Sequence, residues 1–105
     1  MEKIEKLKSF LMHSPEDPFL KHALALEYIK QGNETGAREL FLDILTKDPA
    51  YIGSYYHLAR LLEGAGELDN AKTWYEKGLI ASKQAGDRHT YNELLAAYED
   101  LIDES

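Results

Sequence analysis

The chain has 105 residues, 44% of them hydrophobic and 30% charged, an ordinary balance for one globular domain. It has no cysteine, which excludes disulfides and thiolate metal sites, and no run near the roughly 18 apolar residues of a membrane span. Its net charge of −7 repels phosphate backbones, so nucleic acid is not an expected partner, and without an apolar span neither is a membrane.

Six helices are predicted. The charged opening Met1-Glu2-Lys3-Ile4-Glu5-Lys6 has no apolar signal core behind it, which points to the cytoplasm. Glu2 to His13 carries Ile4, Leu7, Phe10 and Leu11 on one helical face and stops before Pro15. Asp17-Pro18 reads as an N-cap followed by Pro at the first helical position, opening a helix to Gln31. Gly32 breaks the chain, and Asn33 caps a third helix from Glu34 to Lys47. Asp48-Pro49 reads as a second cap-and-Pro pair, with a fourth helix from about Ala50 to Ala65. Gly66 ends it, and a fifth helix runs from near Leu68-Asp69 to about Ala85. Gly86-Asp87 repeats the break and cap. The last helix, Arg88 to Ile102, carries Tyr91, Leu94, Leu95, Tyr98, Leu101 and Ile102 as a sustained apolar stripe.

A step of 34 residues maps the chain onto itself. Leu24-Ala25 returns as Leu58-Ala59, Tyr28 as Leu62, Gly32 as Gly66, Ala37 as Ala71, Phe41 as Tyr75 and Leu45 as Leu79. Backwards, Leu7, Phe10, Leu11 and Pro15 match Phe41, Ile44, Leu45 and Pro49. The physical reading is a helix hairpin in each step. Ala25 and Ala37 allow close helix approach, Tyr28 and Phe41 fill the space beside them, and Gly32 closes a helix end. One hairpin cannot bury its stripe alone, so neighbours stack. In the second copy Lys83 stands where Pro is expected, so its second helix runs on. The last helix then fits as a half-repeat at a step of 36, with Leu94-Leu95 and Tyr98 matching Leu58-Ala59 and Leu62. Polar groups cap the two ends: Lys3, Glu5, Lys6 and Lys8 at one, Asn92, Glu93, Glu99, Asp100 and Asp103 at the other.

The run Leu24-Ala25, Tyr28, Gly32, Ala37, Phe41, Pro49 and its second copy resembles the tetratricopeptide repeat (TPR) family. The resemblance implies an all-α fold, a right-handed α-solenoid of antiparallel helix hairpins. Its parts are an N-terminal half-repeat helix (1–15), two repeats (16–49 and 50–86) and a C-terminal capping helix (87–105). It also implies a module that binds protein or peptide. One class of the family clamps a partner's terminal carboxylate with Lys, Asn and Arg on the concave helices. The matching positions here are His22, Leu26, Tyr56 and Arg60, so the Lys and Asn of that clamp are absent.

No catalytic constellation stands out, and the chain is not expected to be an enzyme or to need a cofactor. No pair among His13, His22, His57 and His89 has the i, i+4 spacing of a zinc helix motif, so no metal site is expected. Gly64-Ala65-Gly66 follows no strand, which removes it as a nucleotide fingerprint. Stacked hairpins curve, with the first helix of each repeat on the concave side. The expected groove takes Phe19, His22, Leu26 and Ile29 from the second helix. Gly53, Tyr56, Arg60 and Glu63 come from the fourth, and His89, Asn92 and Ala96 from the last. Leu26 and Ile29 would serve equally as packing between adjacent repeats. The leading function is capture of an extended or helical polypeptide segment by apolar anchors. The alternative is a homodimer through the end helices, using the apolar side of Glu2 to His13 and the stripe through Tyr98 and Ile102.

Overall fold

The computed structural model describes residues 2–104; Met1 and Ser105, the outer ends of the two expected end segments, lie outside the described residues. The described chain is all α: α1 (Glu2–His13), α2 (Pro18–Lys30), α3 (Glu34–Lys47), α4 (Gly53–Gly64), α5 (Leu68–Ala85) and α6 (Arg88–Glu104). Two compact units divide it, Met1–Asp48 and Pro49–Ser105.

In the first unit α2 packs on α1 and on α3. Asp17 caps α2 by accepting the Phe19 amide at 2.9 Å, with Pro18 at the first turn, as the sequence predicts. The helix ends in a two-bond closure. The Asn33 amide donates to the Tyr28 carbonyl at 2.8 Å and the Gly32 amide to the Ile29 carbonyl at 3.0 Å. That closure requires a left-handed residue, and Gly32 supplies φ of 79° without a Cβ penalty. Asn33 then caps α3 by accepting the Gly36 amide at 3.0 Å. Leu24, Ala25, Ala37, Phe41, Ile44 and Leu45 are buried at the core, and Ile4 joins them from α1. Leu7 and Leu11 are half-buried, but Phe10 is 56% exposed, so the apolar face of α1 is narrower than expected.

A charged network that the sequence reading missed lies in the same unit. Lys21 is only 7% exposed, and its Nζ lies 2.7 Å from Glu16 and 2.5 Å from Asp43. Lys47 closes the ring at 2.9 Å from Glu16 and 3.0 Å from Asp43. Burial works against the Lys21 ammonium, yet its bonds to Asp43 and Glu16 outweigh it and hold the group above its ordinary value. The lysines in turn hold the Glu16 and Asp43 carboxyls below theirs, chiefly through the bonds from Lys21. A carboxyl with a depressed folded pKa stabilises the fold above its unfolded pKa, and that stability is lost as pH falls through the folded value. Urea midpoints should therefore drop on acidification below the ordinary carboxylate range. At neutral pH, Lys21→Met should cost about 1–2 kcal/mol, reduced from a fully buried pair because the acids are partly exposed. The variant should also lose part of the acid slope; an unchanged slope would show the network to be inert.

In the second unit α5 packs against both α4 and α6, and α4 touches α6. The two-bond closure recurs after α4 (Glu67 amide to Leu62 carbonyl, 2.9 Å) and after α5 (Asp87 amide to Ser82 carbonyl, 2.9 Å). Asp87 caps α6 by accepting from the Thr90 amide at 3.0 Å and the Thr90 hydroxyl at 2.9 Å. As the missing Pro at Lys83 implies, α5 runs on: it has 18 residues against 14 in α3. The start of α4 differs from expectation. Asp48 closes α3, its amide donating to the Ile44 carbonyl at 2.7 Å, and α4 begins at Gly53 with no side-chain cap. The reason lies in the repeat itself. A 34-residue step carries Pro49 onto Pro15, not Pro18, so Asp48-Pro49 marks a helix exit. The Tyr55 hydroxyl holds this connection by donating to the Pro49 carbonyl at 2.6 Å.

Candidate functional site

On α2, Phe19 near the N-terminus is 67% exposed, the most open of the expected groove residues on this helix. His22, Leu26 and Ile29 are half-buried. His22 stands edge-on to the Phe41 ring at 5.5 Å, so the core aromatic of the hairpin seats it.

On α4, Tyr56 is half-buried with its ring edge-on to His57 at 5.7 Å. One turn on, Arg60 is 56% exposed through its side chain and lies 3.7 Å from Glu63. Glu63 also accepts a hydrogen bond from the Tyr75 hydroxyl. The Tyr75 ring belongs to the buried core of α5, so its hydroxyl ties the α4 side chains to the packed interior. Burial first, and then the Glu63 carboxylate, push the Tyr75 phenol far above its ordinary pKa, so it is a fixed donor at any physiological pH. The structure thus brings Arg60, Glu63 and Tyr75 together, with Tyr56 one turn away.

On α6, His89 and Asn92 are exposed, as is Ala96, and on α4 Gly53 is exposed. His89 lies 3.6 Å from Glu93. Glu93 also acts on His57 across α4 and α6: burial lowers the His57 pKa, and the Glu93 charge opposes it. His57 and Glu93 are residues that the groove reading missed. Their helix positions fall beside the expected stripe, and only the α4–α6 approach reveals that the Glu93 charge acts on His57. Glu63 was expected in the groove; its carboxylate is engaged by the Tyr75 hydroxyl and the Arg60 guanidinium.

Among the described residues, no group of three or more His, Asp or Glu side chains is placed to hold a metal ion. No described helix is long and apolar enough to cross a membrane.

No protein-family model matches the chain. A TPR repeat-containing protein of Pseudomonas aeruginosa is 26% identical over 91 residues, 87% of this chain and 87% of that one. The crystal structure of a tetratricopeptide repeat domain protein from Salinibacter ruber is 34% identical, with a TM-score of 0.82 over 85% of this chain and 99% of that chain. The first TPR of Spaghetti, solved bound to an HSP90 peptide, is 19% identical with a TM-score of 0.74, over 94% of this chain and 77% of that one. That last likeness is one of fold. With the hairpins, the recurring closures and the 34-residue step already in view, these likenesses establish that the chain belongs to the tetratricopeptide repeat family.

Proposed function

We propose that this chain is a protein-interaction module whose second unit holds a polypeptide segment against α4 and α6. The observation that carries the reading is Arg60, exposed and steered by Glu63, beside the half-exposed ring of Tyr56. Arginine and tyrosine are the common energetic anchors of protein interfaces. A guanidinium already oriented by neighbours loses less entropy on binding than a free one. Asn92 and His89 supply exposed polar groups for the rim. In the first unit, Phe19, His22, Leu26 and Ile29 give α2 an apolar face of the same kind.

The reading favours an extended or helical segment with apolar side chains over a terminal carboxylate. The fold of Spaghetti's first TPR carries an HSP90 peptide. In this chain His22, Leu26 and Tyr56 stand at three of the four clamp positions, leaving Arg60 as the one strong cation among them. Selection from a peptide library should yield apolar-rich binders. Tyr56→Ala and Arg60→Ala should each weaken a selected peptide by roughly tenfold or more. Undiminished binding in both variants rules this face out.

A second reading, a homodimer through α1, draws on Phe10 and Met12, which are 56% and 82% exposed. Light scattering separates the two, because a dimer has twice the 12.0 kDa of the monomer.

A further inference from the structure

Tyr91, Leu95, Tyr98 and Ile102 follow one another along α6 at spacings of four, three and four. This is the seam spacing by which one helix lies along another. The buried face of α6 is set by Leu94 and Leu101, and the seam runs beside it. Tyr91, Leu95 and Tyr98 are half-buried, and Ile102 is 43% exposed. Leu95, Tyr98 and Ile102 line a surface groove of about 590 Å³ whose remaining wall is Ala96, Glu99, Asp100 and Asp103. One side of this groove is already fixed: the Tyr98 hydroxyl donates to Glu76 on α5 at 2.6 Å, and its ring meets Tyr75 edge-on at 6.3 Å.

Size and charge select what lies along this seam. A further hairpin partner of the repeat type needs a small residue at the crossing. The positions matching Leu95 are Ala25 and Ala59, both fully buried, whereas a leucine there holds helix axes further apart. A second copy of the chain brings the same acids and another net charge of −7. From Glu99 to Glu104, α6 carries Glu99, Asp100, Asp103 and Glu104 and no lysine or arginine. A basic helix with one apolar stripe matches both features, laying its stripe on the seam and its cations beside the acids.

We propose that the outer side of α6 is a second docking surface, adjoining the α4–α6 face at Ala96 and centred on Leu95, Tyr98 and Ile102, for a basic amphipathic helix of a partner protein. The probe is a synthetic helix of about 20 residues with leucine at the seam positions and lysine beside them, paired with a twin carrying glutamate for lysine. Fluorescence anisotropy against the full chain should show the lysine peptide binding at least about tenfold tighter than its twin, with the gap closing as salt rises. Ile102→Ser, at an exposed position that does not threaten folding, should weaken the lysine peptide by about tenfold. Glu99→Lys with Asp103→Lys should turn the preference toward the glutamate peptide. Tyr56→Ala and Arg60→Ala should leave this binding unchanged, which separates the surface from the proposed groove. Equal binding of the two peptides, or indifference to both Ile102→Ser and the charge reversal, overturns the proposal. So does a dimer in sedimentation that Ile102→Ser disperses, because it gives the seam to a second copy.

Discussion

Phe41→Ala is expected to destabilise the fold by about 3–5 kcal/mol. Phe41 is fully buried in α3, and Leu24, Ala25, Ala37 and Leu45 are the other buried residues of the same hairpin that the repeat marks. Removing the ring forfeits its transfer from water and leaves a cavity that helices joined at both ends cannot collapse. A chain of this size has roughly 5–15 kcal/mol in total, so the loss is a large share of it. The change also reaches the α2 face, because His22 rests edge-on against this ring. Urea denaturation followed by circular dichroism measures the effect. A loss below about 1 kcal/mol would mean that the hairpin core is not what holds the first unit.

Gly78→Ile is expected to cost about 3 kcal/mol, the upper end of overpacking. Gly78 is buried in α5, and a Cβ there would stand 2.7 Å from Tyr55 Cβ on α4 and 3.0 Å from Leu94 Cδ1 on α6. Tyr55 Cβ is fixed to its backbone, so α4 itself would have to move. The helix propensity that any side chain gains over glycine, at most about 1 kcal/mol, does not offset this. The repeat explains the choice of glycine. A 34-residue step matches Gly78 to Ile44 and Tyr55 to Lys21. At these positions the first unit has a slim lysine stem and a bulky isoleucine, whereas the second sets a bulky tyrosine against no side chain at all. Gly78→Ile combined with Tyr55→Ala should therefore cost less than the sum of the two single changes. Unfolding can be followed through Trp74, the sole tryptophan, which lies on α5 itself. Full additivity would refute the size exchange.

These positions show how much the sequence reveals. The 34-residue step places Ala25, Ala37, Ala59 and Ala71 at full burial, because close helix packing tolerates little else there. Gly32 and Gly66 are legible for the same kind of reason: the closure after a helix demands a left-handed residue. Asp48-Pro49 misleads because Asp-Pro has the same local chemistry at a helix entry and a helix exit, and only the repeat register tells them apart. Lys21 is not legible as a buried residue. Its burial depends on Glu16 and Asp43 arriving from outside its own helix. Of the expected groove residues, helical spacing alone puts Tyr56, Arg60 and Glu63 near one another. It does not reveal that Tyr75 reaches from the core of α5 to hold Glu63. The α6 stripe is legible as apolar, yet spacing does not say which part is core. Leu94 and Leu101 are buried, while Ile102 is exposed.

The proposed function puts a polypeptide segment against α4 and α6 of the second unit. Amide chemical-shift mapping of the full chain, titrated with a library-selected peptide, tests it most directly. The largest perturbations should fall at Tyr56, Arg60 and Asn92. Perturbations confined to the far side of α5, around exposed Ile80, would contradict it.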